Sequence, residues 1–92
     1  MSGRASRELE IVNELGLHAR AATKLVQLAS QFSSEIVLEK DGQRANAKSV
    51  MGVLLLCGGK GAKVTVVAEG ADAEQAVDAI ARLVCDRFGE DA

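Results

Sequence analysis

Aromatic residues are almost absent from this chain of 92 residues: it has no tryptophan, no tyrosine, and only two phenylalanines, Phe32 and Phe88. A core must therefore come from aliphatic side chains, and there is no set of aromatic faces on which single-stranded nucleic acid could stack. Charge of one sign is lacking too. Eleven Lys and Arg against 13 Asp and Glu leave a net charge of −2, without the basic stripe that follows a nucleic-acid backbone. No apolar run approaches the roughly 20 residues of a membrane span. Residues 1–7 carry no apolar stretch, which argues against a signal peptide or anchor. The expectation is a cytoplasmic protein with no nucleic-acid partner and no membrane insertion. Cysteine is scarce as well. Cys57 and Cys85 form no CxxC pair, and the chain has one histidine, so no metal-ligand spacing is present. Both cysteines lie in apolar runs and read as buried free thiols.

What is present suffices for one domain. Hydrophobic residues make up 48% of the chain, enough for a core in a fold that buries about 60–65% of its unfolded surface. Residues 1–7 are polar and small, and read as a flexible extension ahead of a domain at 8–92. Leu9 and Ile11 alternate with polar neighbours as in a half-buried strand at 8–13. Ala22, Leu25, Val26, Ala29 and Phe32 recur with helical spacing, predicting a helix over 19–32. A strand at 35–40 meets Asp41-Gly42, a two-residue hairpin signal, and returns over 43–47. Ser49 reads as the N-cap of a short helix at 50–56. Gly58, Gly59 and Gly61 end that helix, and Val64, Val66 and Ala68 alternate in a further strand that Gly70 closes. Asp72 with Gln75 resembles a capping box for a last helix bearing Ala73, Ala76, Val77, Ile80, Leu83 and Val84. The order is β-α-β-β-α-β-α. One apolar face per strand predicts an α+β fold of two layers, a largely antiparallel sheet covered on one side by helices.

Two places carry chemistry. In Gly16-Leu17-His18-Ala19-Arg20-Ala21-Ala22 the lone histidine stands where the chain enters a helix, beside amides that favour anions. Arg20 adds a permanent charge and a forked donor set suited to phosphate oxygens. An imidazole nucleophile, aimed amides and a guanidinium on one loop suit acceptance of a phosphoryl group; a solvated surface histidine and arginine fit the same letters. The second place is Ala47 to Leu56, too apolar for a surface helix. Val53, Leu56 and Cys57 share one side, and Val50, Met51 and Leu54 another. The second side is either an exposed partner surface or buried under a neighbouring helix. Ser49 is a plain cap, a phosphorylation site, or both.

With both motifs quoted, the chain resembles the HPr family, the histidine-containing phosphocarriers of the phosphoenolpyruvate-dependent phosphotransferase system. Gly16-Leu17-His18-Ala19-Arg20 is similar to the family's phosphorylation motif, and Lys48-Ser49-Val50-Met51-Gly52-Val53 to its regulatory serine motif. The likeness runs over residues 8–88. It implies an open-faced sandwich with a four-stranded antiparallel sheet in order 1-4-2-3 and three helices on one face. It also implies that Nδ1 of His18 takes a phosphoryl group from phosphorylated Enzyme I and gives it to IIA domains of sugar permeases, with Arg20 stabilising it. Ser49 would be the target of an HPr kinase/phosphorylase, and Ala19, Ala21, Val50, Met51 and Leu54 would meet partners. Such a carrier needs no cofactor, acts as a monomer and turns over no small substrate by itself. An adaptor, or a carrier of a nitrogen-related branch whose output is regulation, shares the same residues.

One position departs from the family pattern. Where the family usually has proline after the arginine, this chain has Ala21. Proline in the first turn pre-sets φ, so alanine keeps the helix but constrains the loop less.

Overall fold

In the computed structural model, which describes residues 3–56 and 58–91, the Asp41-Gly42 signal is realised as a hairpin. Asp41 (φ 50°) and Gly42 (φ 81°) are both left-handed, the pair of angles a type I′ turn requires. The turn joins β2 (Glu35–Lys40) to β3 (Gln43–Asn46), with Lys40 opposite Gln43 and Val37 opposite Asn46. β4 (Lys63–Gly70) pairs antiparallel with β2 on one side and with β1 (Gly3–Glu10) on the other. The sheet is four-stranded, in order β1-β4-β2-β3. Its three helices are α1 (Ala19–Ala29), α2 (Val50–Leu55) and α3 (Ala73–Cys85).

The core is aliphatic, as the missing aromatics demand. Leu9, Ile36, Leu38, Val64, Val66 and Ala68 point from the sheet to Ala22, Leu25, Val53, Val77, Ile80 and Val84 of the helices. Phe88 is fully buried with them, carried on a short terminal turn, Arg87–Gly89. Among the described residues no helix is long and apolar enough to cross a membrane.

Five expectations require correction. β1 starts at Gly3, so residues 3–7, read as a flexible extension, are paired with β4 from Gly3↔Gly70 onward; Met1 and Ser2 lie outside the described residues. An edge strand of an open sheet tolerates Arg4 and Ser6. At its other end β1 stops at Glu10, where Ile11 bonds to the backbone of Ala62 and Gly61. Helix α1 ends at Ala29 instead of residue 32: Gln31 and Phe32 donate their N–H groups three residues back, to Leu28 and Ala29, in a tightened last turn. Asp72 is not the cap that its spacing to Gln75 suggests. It makes no cap bond to α3; its carboxylate accepts the N–H of Ser33 (2.9 Å) and Ser34 (3.0 Å) and the Ser34 hydroxyl. The Ser34 hydroxyl and then the Ser33 N–H hold its pKa at about 2, below the ordinary 3.8. Finally, Cys85 is exposed, one position past the buried stripe that ends at Val84; Cys57 lies outside the described residues.

Candidate functional site

The site is assembled by a loop between β1 and α1. Gly16 turns the chain with φ 65°, a conformation that costs any residue with a Cβ. A Cβ there would run into the Gly58 carbonyl and lie 2.8 Å from the Gly59 Cα. That close approach lets Leu17 donate its N–H to the Gly58 carbonyl at 2.7 Å and bury its side chain. The glycines after α2 thus form the seat of the histidine loop, beyond the helix-ending part read from sequence. Asn13, fully buried, ties the loop from inside by donating Nδ2 to the Gly16 carbonyl at 2.9 Å. Outside, Lys60 pairs with Glu14 at 2.7 Å, an exposed contact of little energetic weight.

His18 follows as the N-cap of α1, with extended backbone (φ −73°, ψ 177°). Its Nδ1 accepts the backbone N–H of Arg20 at 3.3 Å. Its Nε2 meets Oε2 of Glu90. An acceptor at Nδ1 and a carboxylate at Nε2 assign the ring proton to Nε2. The Nδ1 lone pair is thereby directed at the start of α1, where the first-turn amides have no carbonyl four residues back. Glu90 is itself held: Asn13 Nδ2 donates to its Oε1 at 2.9 Å. The Asn13 amide, followed by the His18 ring and the charge of Lys24, keeps the Glu90 carboxyl below its usual range. The Arg20 side chain is exposed and lines, with Glu14, Leu15, Lys24 and Glu90, a depression of about 400 Å³. A nucleophilic nitrogen at the positive end of a helix can accept an electrophile and hold the anion it carries, and the exposed Arg20 side chain is carried on the same first turn.

Ser49 caps α2 as the sequence predicts, its Oγ accepting the Gly52 N–H at 3.2 Å. The two sides of α2 are resolved as well. Val53 and Leu56 are buried, and Val50 and Leu54 are half-buried. Met51 is 67% exposed, matched by Leu55 at 68% and by Leu15 of the histidine loop at 70%. The exposure of Leu55 and Leu15 has no counterpart in the sequence reading. Ala19 is exposed, but Ala21 has no accessible surface, which removes its side chain from any partner contact: it faces the core at the third position of α1. Asn13, Lys24 and Glu90 were also missed. Glu90 lies 72 residues from His18, and no local spacing links the two.

Comparison with known proteins bears on the same residues. A family model described as PTS HPr component phosphorylation site matches residues 5–86. The chain is 46% identical over 84 residues to the phosphocarrier protein HPr of Cupriavidus necator, covering 91% of this chain and 94% of that protein. It is 49% identical over 84 residues to the phosphocarrier protein NPr of Shewanella violacea, covering 91% and 92%. HPr-C-His from Thermoanaerobacter tengcongensis superposes with a TM-score of 0.92 at 45% identity, covering 96% of this chain and 99% of that chain. A structure from the same organism described as an HPr dimer gives 0.76 at 49% identity, covering 89% and 94%. Sheet order, histidine loop and these likenesses together define a phosphocarrier protein of the phosphotransferase system. The chain belongs to the HPr family.

Proposed function

We propose that the chain carries phosphoryl groups on Nδ1 of His18, accepting them from phosphorylated Enzyme I and passing them to IIA domains of sugar permeases in the cytoplasm. The observation that carries this reading is the division of labour on one ring, Nε2 against Glu90 and Nδ1 toward the amide of Arg20. In acceptance, the Nδ1 lone pair forms a bond to phosphorus while the donor's bond to phosphorus breaks and its electrons return to the donor. The new dianion lies at the positive end of α1, beside a guanidinium able to span two of its oxygens. Donation runs the same step backwards. Little covalent work falls to the carrier, so alignment of two docked proteins supplies most of the rate.

Partners meet the surface of Ala19, Val50, Met51, Leu54 and, from their exposure, Leu55 and Leu15. Ser49 is the regulatory position, modified by an HPr kinase/phosphorylase; its phosphate would lie on a helix start, which tolerates it, and would repel an acidic donor. The carrier acts as a monomer in this reading, and light scattering at working concentration then gives a single-chain mass, against twice that mass for pairing of the kind seen in the dimeric relative.

A second reading is favoured by the likeness to the Shewanella violacea NPr: the same chemistry serving a nitrogen-related branch whose output is regulation, or a regulatory adaptor. Radiolabelled phosphoenolpyruvate with the Enzyme I of each branch, followed by a IIA acceptor, separates them. Faster labelling by the sugar-branch Enzyme I and onward transfer to a sugar IIA support the first reading. Preference for the nitrogen branch supports the second, and labelling by neither contradicts the carrier function.

A further inference from the structure

We propose that Glu90 is the positioning residue of the phosphoryl-accepting ring: its side-chain carboxylate, delivered by the left-handed turn Arg87–Gly89, holds Nε2–H of His18 so that Nδ1 is the nitrogen that makes and breaks the bond to phosphorus. The inference rests on the carrier reading above and adds a residue that neither sequence motif contains.

The turn is the first ground. Arg87, Phe88 and Gly89 have φ of 57°, 55° and 78° in succession. Two of the three are residues with a Cβ, for which this region is unfavourable, and such a backbone persists only where its surroundings over-determine it. They do so here. Phe88 is fully buried, and its carbonyl accepts Nζ of Lys24 from α1 at 2.6 Å. Gly89 and Glu90 donate their N–H groups to Asp86 (3.0 Å) and Arg87 (2.9 Å). The chain therefore leaves α3, reverses over α1 and arrives at the histidine.

The second ground is the frame at its end. Each Glu90 oxygen has a separate partner, Oε1 the buried Asn13 amide and Oε2 the ring. The same Asn13 nitrogen also holds the Gly16 carbonyl. Loop, ring and tail share one anchor, and a ring held at one nitrogen presents the other in a fixed direction. When Nδ1 bonds to phosphorus, the positive charge that develops on the imidazole faces the Glu90 carboxylate. When the group is passed on, the electron pair of the N–P bond returns to Nδ1. The proton stays on Nε2 in both directions, so none has to cross between the docked proteins. A carboxylate that orients a histidine and steadies its cation is a recurrent device in proton-transfer sites.

The test uses the full chain with ¹⁵N-labelled histidine, as wild type and as Glu90→Gln, Glu90→Asp and Glu90→Ala, with phosphoenolpyruvate and Enzyme I. Ring ¹⁵N shifts are recorded before and after phosphorylation, and kcat and KM for the carrier are measured. The inference predicts that Glu90→Gln and Glu90→Ala lower kcat by about tenfold, equivalent to about 1.4 kcal/mol of barrier, while KM stays within about twofold. The Nε2 shift should move in both, and Glu90→Asp should recover part of kcat. Unchanged ring shifts, an unchanged kcat, or a loss confined to KM would overturn it, since the tail would then only touch the partner. Failure of the carrier reading looks different: the wild type itself would take no label, while its ring shifts would still report the Glu90 contact.

Discussion

Gly16 lies so close to Gly58 that it has no room for a side chain: a Cβ on Gly16 would enter the Gly58 carbonyl, whereas one on Gly58 would meet only the Leu17 side chain, 2.8 Å from its Cδ1. The histidine loop is thus seated on the segment that follows α2. Gly16→Ala combines a left-handed φ with this clash, and the expected loss of stability is about 1–3 kcal/mol. Chemical denaturation measures it. Phosphorylation of His18 should slow in parallel because the loop must lift from its seat. A variant with wild-type stability and rate would mean that the loop tolerates displacement.

Asp72 sets an acid limit. Its folded pKa of about 2 lies below the ordinary 3.8, so the ionised form is favoured by folding. The stability it contributes is fully present above pH 3.8 and is lost as pH falls through about 2. Asp72→Asn should lower the melting temperature at pH 7 and flatten its fall between those two values. Thermal melts of both proteins across that window are the check. An identical acid profile in the variant would show that the Ser33 and Ser34 bonds carry no pH-dependent stability.

For Ser49, cap and brake predict different results. Ser49→Ala removes the oxygen that accepts the Gly52 N–H and should cost about 1 kcal/mol, while leaving His18 a competent acceptor. Ser49→Asp keeps an acceptor at the helix start, so stability should stay near wild type and phosphorylation by Enzyme I should slow, less than with true phosphoserine. Melting curves and labelling rates separate the two effects. Wild-type rates in both the Asp variant and the phosphoserine form would leave Ser49 a cap alone.

Legibility of the fold and site from sequence follows the range of the interactions. Element order came from short-range patterns, and so did the two turn and cap features that survive intact, Asp41-Gly42 and Ser49. The position of His18 at the start of α1 was equally local, since it needs only a strand pattern before it and a helical one after. The sheet order rested on the family resemblance, not on periodicity. What stayed hidden depends on pairing across the chain. Residues 3–7 look unstructured by composition and become a strand because β4 offers them a partner. Asp72 matches a local capping box but bonds to Ser33 and Ser34, about forty positions away. Glu90 has no pattern at all linking it to His18. Met51 reads as part of a side of α2 that is either open or buried, and its exposure, like that of Leu55 and Leu15, follows only from how the helix and the loop pack.

The carrier claim itself turns on one nitrogen of one residue. Incubation with labelled phosphoenolpyruvate and Enzyme I should put acid-labile, alkali-stable phosphate on the wild type and none on His18→Ala, because His18 is the chain's only histidine. ³¹P–¹⁵N correlation on the labelled wild type should place the phosphorus on Nδ1. Label that persists in the His18→Ala variant, or phosphorus bonded to Nε2, would contradict the account.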